Sequence, residues 1–148
     1  QVKASLAKSW WSQKAPKFLA RLYRSLLFVP GNNPRFLEKA KTSPADIVCF
    51  DLEDSVPDSE KKTARNLIKE ALKSRDSYSN SVYVRTNSPI SGKIPDDLEQ
   101  VIQKGLDGIV IPKVNNAKEL GKIIKTIKLL EKKRKLRLFL RQLQILKP

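Results

Sequence analysis

Four short stretches of this chain concentrate the side chains able to do chemistry: Pro30-Gly31-Asn32-Asn33, Asp51-Leu52-Glu53-Asp54, Arg85-Thr86-Asn87 and Pro112-Lys113. Together they offer three carboxylates, one guanidinium and one ammonium. Arginine suits a carboxylate ligand because its planar fork donates two parallel hydrogen bonds. Acids beside it neutralise and orient it, since a half-buried charge needs partners. A mixed-sign cluster of this kind suits an anionic substrate. The chain has no His, which excludes imidazole acid–base chemistry, His metal ligands and the Ser–His nucleophile. Its one cysteine, Cys49, excludes a disulfide framework and a Cys-rich zinc site; inside an apolar run it reads as a buried structural thiol.

Each stretch follows an apolar run and precedes a helical pattern. Ser25-Leu26-Leu27-Phe28-Val29, Ile47-Val48-Cys49-Phe50, Val82-Tyr83-Val84 and Gly108-Ile109-Val110-Ile111 read as strands. Asn33-Pro34 supplies an N-cap and a first-turn proline for a helix through residue 41. A second helix is predicted over residues 59–73, with Ala64, Leu67, Ile68, Ala71 and Leu72 on one stripe. A third starts at Pro95-Asp96-Asp97 and runs through residue 104, and a fourth carries Leu120, Ile123, Ile124 and Ile127. Strands apolar throughout, alternating with amphipathic helices, indicate an α/β fold whose parallel sheet is covered on both faces. An open doubly wound sheet and a β/α barrel both fit this pattern. Both gather the four stretches on one rim, at the carboxyl ends of the strands.

The structural readings stand beside the functional ones. The acids of Asp51-Leu52-Glu53-Asp54 also suit a capped loop, Arg85 a structural ion pair with Asp51 or Glu53, Lys113 a solvated loop and Phe28 a core position. Arg35 and Lys39, four residues apart on one face of the first helix, are poorly placed for its dipole. A phosphate-bearing ligand or a solvated basic face accounts for them equally.

The formal charge of +15 is unevenly spread. Residues 1–37 hold seven bases and no acid, residues 132–148 another seven bases and no acid, and the intervening segment is nearly neutral. This distribution argues against a nucleic-acid reader, whose basic residues would line the folded domain. No apolar run reaches the roughly 20 residues that cross a bilayer, so no membrane partner is expected. Residues 1–22, basic with interleaved apolar side chains, read as a transit-like lead and carry the expectation of a mitochondrial address. The expected division is lead 1–22, partial β/α barrel 23–131 and basic divergent tail 132–148.

Arg24-Ser25-Leu26-Leu27-Phe28-Val29-Pro30-Gly31, Asp51-Leu52-Glu53-Asp54-Ser55-Val56, Val84-Arg85-Thr86-Asn87 and Gly108-Ile109-Val110-Ile111-Pro112-Lys113-Val114 closely resemble, in order and spacing, the citrate lyase beta-subunit family of the HpcH/HpaI aldolase superfamily. The resemblance covers residues 24–130 and implies the N-terminal half of a (β/α)8 TIM barrel, with four strand–helix units. It further implies a carbon–carbon lyase acting on a 3-hydroxyacyl-CoA such as citramalyl-CoA, malyl-CoA or citryl-CoA, with Mg²⁺ as cofactor and a homo-oligomeric full-length form. By the same resemblance Phe28, Arg35, Lys39 and Arg85 match substrate-binding positions, and Asp51, Glu53, Asp54 and Lys113 match supporting rim positions. The Mg²⁺ ligands are a Glu and an Asp on later strands, so no metal ligand is expected in this chain. Residues 132–148 contain no acid and do not read as the family's fifth strand. Leu136, Phe139, Leu140 and Leu143 instead have helical spacing, and the first and fourth strands are expected as open edges. The alternative is a catalytically inactive half-barrel that binds CoA compounds or a partner subunit.

Overall fold

The computed structural model describes residues 23–136 and 143–146. Five parallel strands lie in sequence order: β1 (Leu26–Pro30), β2 (Ile47–Asp51), β3 (Ser81–Arg85), β4 (Gly108–Pro112) and β5 (Leu143–Leu146). Helices α1 (Pro34–Ala40), α2 (Lys61–Lys73), α3 (Ile94–Val101) and α4 (Ala117–Lys133) follow the first four strands. Strand order equal to sequence order, with a helix after each strand, is the progression of a β/α barrel; a doubly wound sheet reverses order at a switch point. That resolves the choice the pattern left open.

Side-chain alternation divides the sheet into two faces. Val48, Phe50, Val82, Val84, Ile109 and Ile111 join the helix-facing core, where Ala64, Ile68 and Leu72 of α2 and Leu98 of α3 pack. Ile47, Cys49, Tyr83 and Val110 form a second cluster on the opposite face. Gly108 is required there: a Cβ at this position would stand 2.5 Å from the Tyr83 ring.

The expected helix boundaries hold to within a turn. The second opens with a one-turn 3-10 helix (Asp58–Glu60) before α2. The third stops at Val101, because Gly105 must turn back at φ +102° directly against the Leu72 carbonyl. On α4, Ile123 and Ile127 are buried while Leu120 and Ile124 are partly so.

The tail departs from expectation. Leu143–Leu146 is a fifth strand, paired in parallel with β4 through Ile109↔Leu143 and Pro112↔Leu146. Residue 143 is therefore extended rather than helical, and β4 is not an open edge. At residues 143–146 pairing with the edge of β4 supplies a hydrogen-bonded ladder that an isolated short helix lacks; Phe139 and Leu140 lie outside the described residues. α4 also runs past the expected boundary at residue 131 and ends at Lys133. It closes with Leu136 N–H donating to Glu131 O at 2.9 Å, and Lys135 takes the left-handed position at φ 52° that glycine usually fills. The transit-like lead 1–22 lies outside the described residues.

Among the described residues β1 has no neighbour on its outer side, and Leu26, Leu27 and Phe28 are exposed. Leu27 and Phe28, with Phe36, Lys39 and Pro44, line a groove of about 490 Å³.

Candidate functional site

The register of the strands builds the rim. Asp51, the last residue of β2, lies directly opposite Arg85, the last residue of β3, and Pro30 closes β1 beside Asp51. Adjacent strands are about 4.8 Å apart, so facing side chains meet without reaching. Arg85 accordingly grips Asp51 with both arms, Nε to Oδ1 at 2.7 Å and Nη2 to Oδ2 at 2.7 Å. The sequence alternative of a structural Arg85–Asp51 pair is thus realised. The third nitrogen, Nη1, faces Asp54 at 3.3 Å and Glu53 at 3.6 Å. The guanidinium carbon stands 4.5 Å from the centroid of the Phe28 ring, which brings Phe28 to the rim as a cation–π platform.

Asp51 is fully buried and almost saturated. Besides Arg85 it accepts the Glu53 and Ser55 amides at 2.8 and 3.0 Å and the Ser55 hydroxyl at 2.6 Å. Burial opposes its ionisation, but the Arg85 and Ser55 hydrogen bonds outweigh it and hold the carboxyl at about 2. The same pairing raises Arg85 further above its ordinary range.

Lys113 follows β4 in a left-handed conformation, φ 52°, which costs a non-glycine residue about 1 kcal/mol. That turn carries the ammonium back to the acid loop, 3.0 Å from Glu53 and 3.4 Å from Asp54. Lys113 is thus an ion-paired member of the rim despite being half exposed. Hydrogen bonding to Glu53 and the charge of both acids raise its pKa.

Arg35 and Lys39 sit apart from this cluster. Both are exposed on α1, whose first turn is capped by Asn33 Oδ1, and neither forms an ion pair among the described residues. Lys39 shares the β1 groove with Phe28, so Phe28 links the groove to the rim through Arg85.

Two buried side chains that sequence reasoning passed over hold the loops. Asp97 on α3 is fully buried; it accepts the Asn87 amide at 2.7 Å and the Arg65 Nε at 2.7 Å, fastening the loop after Arg85 to two helices. Lys61 donates to the Leu52 and Glu53 carbonyls, each at 2.6 Å. At the sequence level both look like ordinary polar residues in a helix's first turn. Gly31 completes the framework: its N–H donates to Asp51 O at 3.0 Å, and a Cβ would lie 2.6 Å from that oxygen.

The family model for HpcH/HpaI aldolase/citrate lyase matches residues 24–146. The chain belongs to this family. A citrate lyase subunit beta from Leuconostoc mesenteroides subsp. cremoris is 41% identical over 97 residues, which are 66% of this chain and 32% of that one. A (3S)-malyl-CoA thioesterase from Cereibacter sphaeroides is 41% identical over 101 residues, 68% of this chain and 35% of the relative. The citrate lyase beta subunit of M. tuberculosis, solved with oxaloacetate and magnesium, superimposes with a TM-score of 0.55 at 28% identity, over 66% of this chain and 42% of that one. The chain spans about a third of the length of the curated relatives it matches. The fold is therefore part of a (β/α)8 barrel of the citrate lyase beta type.

Magnesium is associated with the family through that M. tuberculosis structure. Among the described residues no three His, Cys, Asp or Glu side chains converge as a metal site. The rim acids are directed at Arg85 and Lys113 instead. The described residues do not fit a magnesium ion.

Proposed function

We propose that the rim of Arg85, Lys113, Asp51, Glu53 and Asp54 receives the acyl end of a 3-hydroxyacyl-CoA thioester, and that the family reaction this rim serves is carbon–carbon cleavage. The observation that carries the reading is the Asp51-anchored Arg85: its Nη1 edge faces the open side of the rim, while the opposite edge is consumed in fixing its direction. A substrate carboxylate that displaces Asp54, the most exposed of the three acids, meets a guanidinium already oriented, with no rotamer entropy left to lose. Phe28 packs against the ligand beside Arg85, and Arg35 and Lys39 on the neighbouring helix attract the CoA phosphates. Glu53 and Asp51 keep Arg85 and Lys113 charged and in place.

In the cleavage itself the bond between the thioester α-carbon and the hydroxyl-bearing carbon breaks. The hydroxyl proton leaves as that carbon becomes a carbonyl, and the α-carbon takes up a proton. The rim's contribution is positioning and charge complementarity to the anionic ends. Magnesium held outside the described residues would polarise substrate oxygens.

A second reading is favoured by one observation, the lack of a converging metal-ligand group among the described residues: a half-barrel that binds CoA compounds without turning them over. Calorimetric titration of the chain with malyl-CoA and with CoA, each with and without Mg²⁺, separates the two. Magnesium-independent binding without product supports the second. Binding followed by cleavage, with no free thiol released, supports the lyase. Free thiol release would mark a thioesterase, and no binding to either compound would sink both.

We also propose a mitochondrial destination for residues 1–22, on the spacing of their bases; a fusion of this segment to a fluorescent protein that stays diffuse would refute it.

A further inference from the structure

Lys61 violates two electrostatic preferences at once. As the first residue of α2 it sits at the positive end of the helix dipole, and it is only 6% exposed. Burial depresses its pKa, offset in part by the charges of Asp58 and Asp51. Among the described residues it forms no ion pair. Its ammonium is spent on two short bonds to consecutive backbone carbonyls, those of Leu52 and Glu53, each at 2.6 Å.

Those carbonyls bracket Glu53, the one rim acid that cannot orient itself. Glu53 is 8% exposed, and neither carboxylate oxygen has a hydrogen bond of good geometry. It is held by two ion pairs, with Lys113 at 3.0 Å and Arg85 at 3.6 Å, whose side chains come from the ends of other strands. A carboxylate without directional bonds takes its aim from its backbone. That backbone is held from one side by Asp51, which accepts the Glu53 and Ser55 amides, and from the other by Lys61.

We propose that Lys61 is a positioning residue: by binding the carbonyls on both sides of Glu53, it holds Glu53 and Asp54 against Lys113 and so sets the charge pattern of the rim. Its functional meaning rests on the site reading given above, but its test does not. Lys113 is half exposed and open to acylation, and its pairing with Glu53 and Asp54 keeps it protonated and slow to react. Trace labelling with acetic anhydride at pH 8, read by mass spectrometry with exposed Lys122 on α4 as internal reference, reports that pairing.

In Lys61→Met, Lys113 is expected to label about three- to tenfold faster relative to Lys122, because the loosened acid loop protects the ammonium less. Glu53→Gln should give a comparable rise. Lys113 labelling at the wild-type rate in folded Lys61→Met overturns the proposal, whatever Glu53→Gln does. If circular dichroism finds Lys61→Met unfolded, Lys61→Gln, which retains a donor for one carbonyl, decides: intermediate reactivity supports the proposal and wild-type reactivity overturns it. Failure of malyl-CoA to bind the wild-type chain would sink the lyase reading and leave this result standing.

Discussion

The cations at the carboxyl end of the sheet are held in two different ways. Arg85 and Lys113 stand on strand ends among three carboxylates, one of them fully buried. Arg35 and Lys39 stand on α1 in solvent, with no ion pair among the described residues. The first pair is anchored: one edge of Arg85 is spent on Asp51, and taking that partner away strands a largely buried ion. The second pair is uncommitted, so its removal should leave the fold alone and be felt by an approaching anion.

Asp51→Ala is the strongest way to break that contrast. It strips Arg85 of both 2.7 Å bonds and frees the Glu53 and Ser55 amides. A loss of about 3–5 kcal/mol in urea-denaturation stability is expected, the range for unpairing a buried charge. A loss below about 1 kcal/mol would put the rim in the class of surface pairs and end the distinction.

Acid sharpens it. Asp51 titrates at about 2 in the folded chain, below the ordinary carboxylate value. A depressed folded pKa gives stability that is complete above the unfolded value near 4 and is lost as pH falls towards 2, worth about 2 kcal/mol for this one group. Denaturation curves between pH 5 and pH 2 should show that component in wild type and lack it in Asp51→Asn.

For the uncommitted cations the expected effect moves from stability to binding. Arg35→Ala with Lys39→Ala should change stability by no more than about 0.5 kcal/mol, as for surface sites generally. The double variant should weaken CoA binding by about tenfold at low salt, and by less as salt screens the charges. Equal affinity at low salt would remove these residues from the site.

The smallest effect serves as a control remote from both sets. Lys135 occupies a left-handed C-terminal position without being glycine. Lys135→Gly should stabilise the chain by about 1 kcal/mol, read as a higher urea midpoint with unchanged slope.

Much of this was legible in the residues. Apolar runs of strand length alternating with amphipathic helices gave four of the five strands and all four helices, because a sheet buried on both faces leaves a continuous apolar signature. The fifth strand was not legible: Leu143 stands at helical spacing with Leu136, Phe139 and Leu140, and it is pairing with the edge of β4 that makes residues 143–146 extended. At the site, the four stretches marked where the charges would gather. Lys61 and Asp97 stayed hidden, since a charged residue in a helix's first turn looks the same whether it faces water or a loop.

Residue type and order alone determined the βα progression, the absence of imidazole and disulfide chemistry and the set of charges available to the rim, because these depend on composition and local periodicity. Tertiary structure decided which charges are spent and which are free. Asp51 meets Arg85 only through the parallel register of β2 and β3, and Lys61 reaches the acid loop only once α2 has packed on the sheet. Ion pairing falls off over a few ångströms, so partner choice belongs to positions in space that residues far apart in the chain acquire only on folding.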